Sequence, residues 1–298
     1  MGKEVLDFYR QTSTYTYLGL YKDFAKNLTN DIKELCLLQR KQIIHPVVYN
    51  DNKIRSFSDT FWGDMTKVPV TRLRYEDDLF PTASSMLIEL LRKNPKYTVD
   101  REAKDKIHTT CRSQAILLSA ILKAKGVPAR ARSGYAPYIK YNGISFDHWI
   151  TEYYDSAQNK WILVDADMCC HEVKFNVYDM PRNSFIFGAE AYLGYRKGTI
   201  KKAELYYAGY DYEKRADHIN EAILRGLFYD FHCLMNDEII FLHLPSYIYD
   251  SKFDLAEEEF KEIDILTELM LEPNDNYHKL LDIWNNISKY RIMSGALN

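Results

Sequence analysis

One run of residues constrains the fold of this 298-residue chain more than any other. It begins at Cys111, carries apolar residues at helical spacing, and ends at Gly126, with Pro128 two positions later. A glycine followed by a proline is typical of a helix end, and Thr110 stands where a cap is expected. The pattern therefore predicts a helix from Cys111 to about Lys125, with a cysteine in its first turn.

The residues after this helix have the composition of β-strands. Three segments, 129–135, 146–154 and 160–164, are interpreted as strands, and the polar run 155–159 joins the last two as a hairpin turn. A helix followed by an antiparallel sheet predicts the α+β class. This helix and sheet form the expected core, within residues 95–180.

The segments on either side of the core are expected to be helical. Residues 1–94 predict a helical N-terminal lobe. One helix is expected to begin at a cap formed by Asn30 and Asp31 and to end at His45-Pro46, and a later helix is expected to end at Asn94-Pro95. Residues 181–298 predict further helices around Tyr192, at 218–235 and at 277–287. We expect the three segments to pack as one compact unit.

Composition excludes several classes of function. The net charge of −3 lacks the basic footprint of a nucleic-acid-binding protein. No run reaches the roughly 18 apolar residues of a membrane span, and the first residues have no signal-peptide core. Five cysteines without a framework-like spacing fit a reducing compartment. We therefore expect a cytoplasmic protein with neither nucleic-acid nor membrane partners.

Cys111, His148 and Asp165 follow one another in the order of a thiol enzyme. A cysteine at a helix N-terminus faces the positive end of the helix dipole, which favours the thiolate. His148 near the start of one hairpin strand and Asp165 after the next are expected to lie almost opposite each other. The acid can then orient the imidazole, which takes the thiol proton.

Four linked motifs resemble the transglutaminase-like superfamily. They are Thr110-Cys111-Arg112-Ser113-Gln114-Ala115, the run 126–135, Asp147-His148-Trp149, and Trp161-Ile162-Leu163-Val164-Asp165-Ala166. The resemblance covers residues 105–170. It implies a papain-like core and a catalytic triad of Cys111, His148 and Asp165. Outside the core, the helical N-terminal extension and residues 222–230 resemble a bacterial branch of the superfamily.

The resemblance also implies a chemistry. The Cys111 thiolate would attack an amide carbonyl of a peptide, protein or small amide, with the backbone N–H of Cys111 as one oxyanion donor. Water or a second amine would resolve the thioester, giving an amide hydrolase or an acyltransferase. The alternative is a non-catalytic peptide- or protein-binding module that keeps the fold. The paired Cys-x-x-Cys motifs and acidic loops of metal-dependent relatives are absent from the sequence, so neither metal nor cofactor is expected.

Four other residues invite a role in the site. His108 could serve as the base, but no acid is evident to orient it. Trp62 could wall the site or help to hold the oxyanion. Arg130 and Arg132, on one face of a strand, could bind a substrate carboxylate, but internal salt bridges are the favoured reading.

The residues after the last strand include a second aspartate and a cluster of possible metal ligands. Asp165-Ala166-Asp167 offers two aspartates to the histidine, and Asp165 is the predicted partner. Cys169, Cys170 and His171, with Asp167, look like a zinc-ligand cluster. Adjacent cysteines are poorly spaced around one tetrahedral ion, so packing is the favoured role.

Overall fold

A computed structural model of the chain describes residues 2–47, 61–139, 143–208, 211–241 and 243–292. Its α-helices are α1 (Lys3–Arg10), α2 (Lys22–Lys26), α3 (Ile32–Arg40), α4 (Ala83–Lys93), α5 (Cys111–Ala124), α6 (Gly188–Arg196), α7 (Ile219–Leu234), α8 (Ser246–Asp250), α9 (Glu257–Leu271) and α10 (Tyr277–Asn286). Its strands are β1 (Ile43–Ile44), β2 (Ile107–His108), β3 (Ala129–Ala136), β4 (Ser145–Asp155), β5 (Lys160–Val164), β6 (Ile186–Phe187) and β7 (Leu205–Tyr206). Among these residues, no helix combines the length and apolar character that crossing a membrane requires.

The protein is α+β, as the sequence predicts. Helix α5 ends one residue before the predicted Lys125, and Gly126 follows with a φ of +82°, a conformation that glycine adopts without strain. Strands β3, β4 and β5 match the three predicted strands to within one residue at each end. The helices expected around Tyr192, at 218–235 and at 277–287 are α6, α7 and α10.

The prediction that His45-Pro46 ends the helix begun at Asp31 is wrong. Asp31 does cap α3, because its side chain accepts a hydrogen bond from the backbone N–H of Glu34. The helix ends at Arg40, however, and Ile43 lies in β1, which pairs in parallel with β2. Two β-branched isoleucines in succession favour an extended strand, and the partner strand is more than 60 residues away in the sequence.

The described chain divides into two compact units. The Cys111 unit comprises residues 8–130 and 150–180, and the His148 unit comprises residues 1–7, 131–149 and 181–298. The division of the chain into segments 1–94, 95–180 and 181–298 stays a prediction.

The Cys111 unit is built around α5, in which every residue is buried. Helices α2, α3 and α4 contact it, and residues of β5 share its hydrophobic cluster. The Thr151 hydroxyl of β4 donates to the backbone carbonyl of Ala115 at 3.1 Å. Because every residue of α5 is buried, protein surrounds this helix on all sides, and α5 is the centre of this unit.

The β4–β5 hairpin lies in the same unit. Its antiparallel register runs from Thr151 opposite Val164 to Asp155 opposite Lys160. The Asp155 carboxylate accepts hydrogen bonds from the backbone N–H groups of Ala157 and Gln158, and Asn159 has a φ of +52°. Asparagine tolerates this left-handed conformation better than most residues, so the polar run 155–159 forms the turn that was predicted.

In the His148 unit, β3 pairs with β6 in antiparallel orientation and β4 pairs with β7 in parallel. Helix α6 packs on α7 and α9. The first residue of α6 must be small, because a Cβ atom on Gly188 would lie 2.0 Å from the carbonyl oxygen of Gly226 in α7. This close backbone approach ties α6 to α7 directly after β6.

A buried ion pair joins β3 to α7 inside the His148 unit. The Arg132 guanidinium donates to both carboxylate oxygens of Asp230, at 2.7 and 2.9 Å, and both side chains are almost fully buried. The Asp230 carboxylate also accepts a hydrogen bond from the backbone N–H of Ser133. A bidentate pair of this kind fixes both position and orientation.

We predict that Arg132→Met destabilises the protein by about 3 kcal/mol, because it leaves the Asp230 carboxylate buried without its cation. The matched control is Lys160→Met, which breaks an exposed pair with Asp179 (3.2 Å). The control should cost less than about 1 kcal/mol. Urea unfolding monitored by circular dichroism measures both free energies, and equal losses would contradict this account.

Candidate active site

Cys111 is the first residue of α5, as predicted, and only 5% of it is exposed. Thr110 precedes it in extended conformation. The first N–H groups of a helix have no acceptor within the helix, and the dipole adds partial positive charge at this end. The backbone around the Cys111 sulfur can therefore stabilise negative charge, on a thiolate or on an oxyanion.

Thr110 is the N-cap residue of α5, as predicted, but its side chain accepts no capping hydrogen bond. Instead, the hydroxyl and backbone N–H of Thr110 both donate to Asp77 Oδ1, at 2.7 and 3.0 Å. The Ser113 hydroxyl donates to the same oxygen at 3.4 Å. A carboxylate from an earlier loop thus fixes the start of the helix, next to Cys111.

Glu76 holds the strand that leads into Thr110. Its backbone N–H donates to the His108 carbonyl, and its carboxylate accepts from the His108 backbone N–H at 2.9 Å. Arg72 donates to both carboxylate oxygens of Glu76, at 2.9 and 3.1 Å. The roles of Glu76 and Asp77 were not identified from the sequence, because an acidic run in a loop does not indicate which distant groups it will bind.

His108, the alternative base, is fully buried. Burial and, to a lesser extent, the charges of Arg72 and Lys93 lower the pKa of its imidazole to about 3. An imidazole of such low basicity is a poor proton acceptor at neutral pH. The surroundings of His108 therefore favour a structural role.

Asp165 follows β5 directly and is fully buried. Its Oδ1 accepts hydrogen bonds from the backbone N–H groups of Asp167 and Met168, both at 3.1 Å. The Asp167 carboxylate instead lies 3.3 Å from the Arg40 guanidinium, which also donates to the Asp167 carbonyl. Arg40 thus engages the second aspartate. Asp165 lies in the Cys111 unit, together with Cys111.

Trp62 covers this arginine. The guanidinium of Arg40 lies 4.2 Å from the Trp62 ring centroid and 5.1 Å from that of Phe61. Cation–π contact with a desolvated arginine holds the indole in place. The Trp62 ring thus contacts Arg40, and the Trp62 carbonyl oxygen accepts a hydrogen bond from the Lys106 amine.

His148 lies in the other unit, on β4, and is 2% exposed. Its ring meets that of Tyr138 edge-on, with centroids 6.3 Å apart. The next residue, Trp149, packs against Tyr229 and Phe241. Because side chains alternate along a strand, the packing of Trp149 in the core directs His148 to the opposite face of β4.

Asp147 precedes His148 and shares the Trp149 face of the strand. Its carboxylate accepts a hydrogen bond from the backbone N–H of Ala208 at 2.6 Å. Burial raises the pKa of Asp147 to about 6, against the opposing effects of the Ala208 hydrogen bond and the neighbouring His148. Asp147 thus anchors the start of β4 near β7.

The favoured reading of Arg130 and Arg132 as salt-bridged residues is confirmed. Arg130 donates to Glu152 at 2.6 Å and stacks on Trp161, whereas Arg132 pairs with Asp230. The carboxylate partner of each arginine lies in the same unit as that arginine. Both guanidinium groups are therefore neutralised within the protein.

The cysteine pair after β5 is compact. The sulfur atoms of Cys169 and Cys170 lie 3.7 Å apart, and the hydrogen bond from Cys169 lowers the pKa of the Cys170 thiol to about 6. Burial lowers the pKa of His171. Within the described residues, no group of three or more His, Cys, Asp or Glu side chains has an arrangement that could hold a metal ion.

We predict that Asp77→Ala destabilises the protein by about 1–3 kcal/mol, because it leaves the buried N–H and hydroxyl of Thr110 without their acceptor. The neighbouring Asp78 is exposed and provides the control, since Asp78→Ala should change the free energy of unfolding by less than about 0.5 kcal/mol. Urea titration measures both, and an unchanged stability in Asp77→Ala would refute the role of Asp77.

Comparison with known proteins agrees with the motifs. The model of the transglutaminase-like superfamily matches residues 84–166, a range that contains Cys111, His148 and Asp165. Searches of curated proteins and of solved structures gave no match to this chain. Residues 84–166 are therefore similar to the transglutaminase-like superfamily.

Proposed function

We propose that this protein is a thiol enzyme that cleaves an amide bond through a thioester, with Cys111, His148 and Asp165 as its catalytic triad and residues 95–180 as a papain-like core. The observation that carries the proposal is the superfamily match, which spans all three residues. The position of Cys111 at the N-terminus of the buried helix α5 supports it.

His148 is the proposed base and Asp165 the residue that orients it. His148 projects from the face of β4 opposite Trp149, and Asp165 follows the strand that pairs with β4. The engagement of Asp167 with Arg40 favours Asp165 as the acid of the triad. An imidazole held by a carboxylate keeps one ring nitrogen for the thiol proton.

The reaction starts when His148 takes the proton of Cys111. The thiolate attacks the amide carbonyl carbon, and the resulting oxyanion accepts a hydrogen bond from the backbone N–H of Cys111. The protonated His148 donates its proton to the amide nitrogen, the C–N bond breaks, and ammonia or an amine leaves. The acyl group remains on the sulfur as a thioester.

Water or an amine then resolves the thioester. His148 accepts the proton of the incoming nucleophile, which attacks the thioester carbonyl. The C–S bond then breaks, and His148 returns the proton to the departing sulfur of Cys111. Water gives a carboxylic acid, as in a protease or deamidase, whereas an amine gives a new amide. We favour water, because the chain carries no recognisable feature for binding an amine.

We predict that iodoacetamide alkylates Cys111 rapidly at neutral pH and that His148→Gln slows this alkylation by at least about ten-fold, because the thiolate loses its base. Cys170 would compete as a thiolate, so both rates are measured in a Cys170→Ser background by mass spectrometry of the labelled peptides. The buried Cys36, whose thiol pKa is raised by burial, serves as the slow internal reference.

His171→Gln is the control variant and should leave the alkylation rate of Cys111 unchanged. Alkylation of Cys111 no faster than that of Cys36, or at the same rate with and without His148, would count against the enzyme. Either result would favour a peptide-binding module that retains the fold.

We predict that the products of the reaction identify the acyl acceptor. The protein is incubated with glutamine-containing peptides and hydroxylamine, and ammonia and hydroxamate are measured separately. Ammonia without hydroxamate indicates hydrolysis, and hydroxamate indicates acyl transfer. Cys111→Ala should lower either product by at least about 1,000-fold, whereas Cys170→Ser should leave it unchanged. Turnover that survives in Cys111→Ala would exclude the proposed nucleophile.

A further inference from the structure

The Cys111 unit contains a cavity of about 310 Å³ that is lined mainly by charged residues. Basic side chains outnumber acidic ones in its lining. This volume is at the lower end of the range for small-molecule sites. The excess of positive charge favours an anionic ligand.

Two of the lining lysines are neutralised by neighbours in the same wall. Lys67 lies 3.7 Å from Asp64, and Lys104 lies 3.0 Å from Glu102. A third cation, Arg101, is committed to structure, because its guanidinium donates to backbone carbonyls that include those of Leu90 and Lys96. Lys67 and Lys104 thus supply no uncompensated charge to a ligand, and the guanidinium donors of Arg101 are occupied by protein oxygens.

Lys41 and Lys106 differ from the other cations of the lining. The Lys106 amine donates to the Trp62 carbonyl at 2.8 Å, and the Lys41 amine donates to the preceding carbonyl, that of Phe61, at 3.4 Å. In the part of the chain that the structure describes, neither amine has a carboxylate oxygen within 4.0 Å. Two ammonium groups are thus held at consecutive carbonyls with donors to spare.

Lys106 is 2% exposed, so its charge is costly without a counter-ion. Burial and, to a lesser extent, the charges of Lys41, Arg40 and Arg101 lower the pKa of its amine to about 7, against an opposing effect of Cys170. An anion between the two lysines would remove this penalty by stabilising the protonated amine.

We propose that this cavity binds a small molecule through an oxyanion group, a sulfate, phosphate or carboxylate, held between the ammonium groups of Lys41 and Lys106. Lysine binds such groups as a compact point charge with three donors. The site is separate from the proposed triad in its residues and does not depend on the proposed enzymatic activity.

The test is isothermal titration calorimetry of the full chain at low ionic strength, with sodium sulfate in one titration and sodium succinate in another. Saturable binding of sulfate indicates a phosphate- or sulfate-bearing ligand, and saturable binding of succinate alone indicates a carboxylate. Lys106→Met and Lys41→Met should each weaken binding by about ten-fold or more, because each removes a charged hydrogen bond.

Lys104→Met is the matched control, since Lys104 lies in the same wall but is paired with Glu102, and it should weaken binding by less than about two-fold. Sulfate keeps its charge between pH 6 and pH 8. The affinity of the wild-type protein for sulfate should therefore fall over this range as Lys106 loses its proton, whereas the affinity of Lys106→Met should stay constant. No saturable binding of either anion up to about 10 mM, or an equal loss in Lys104→Met, would overturn the proposal.

Discussion

The complete burial of α5 is the constraint on which the rest of the Cys111 unit depends. The polar groups of a buried helix need hydrogen-bond partners from the surrounding protein, and α5 carries several such groups. The Gln39 side chain donates to the carbonyl and the side chain of Gln114, Thr151 donates to the Ala115 carbonyl, and Arg112 donates to the Pro81 carbonyl. Each of these bonds joins a different segment to the helix, so the helix that carries Cys111 also organises its surroundings.

The start of α5 is the most tightly specified part of this arrangement. The sulfur of Cys111 requires an N-terminus whose N–H groups stay aligned, and Asp77 supplies that alignment by accepting two hydrogen bonds from Thr110. Glu76 fixes His108 one step earlier, and Arg72 holds Glu76 in turn. A short acidic segment therefore has a positional role, although it contributes no group to the proposed chemistry.

The same segment connects the start of α5 to the proposed oxyanion site. Arg72 also donates to the backbone carbonyl of Lys106, the buried amine of the proposed oxyanion site. Lys106 and Cys111 are five residues apart along one stretch of chain that Arg72, Glu76 and Asp77 hold from the side. Carboxylates neutralise the buried arginines Arg40 and Arg132, whereas the amines of Lys41 and Lys106 donate to backbone carbonyls.

The sequence by itself determined what depends on neighbours along the chain. The helix at Cys111, the strands β3 to β5 and the hairpin turn follow from residue spacing and from Gly126, Pro128 and Asn159, because helix and strand periodicities and turn conformations are local properties. The motif order also indicated Cys111, His148 and Asp165. Only the tertiary structure showed that Asp77 binds Thr110, that Arg40 pairs with Asp167 and that Ile43 lies in a strand. These partners lie tens of residues or more apart, and a charged or β-branched residue does not indicate which distant segment it will contact. The same holds for Lys106, whose burial and lowered pKa arise from segments brought together only by folding.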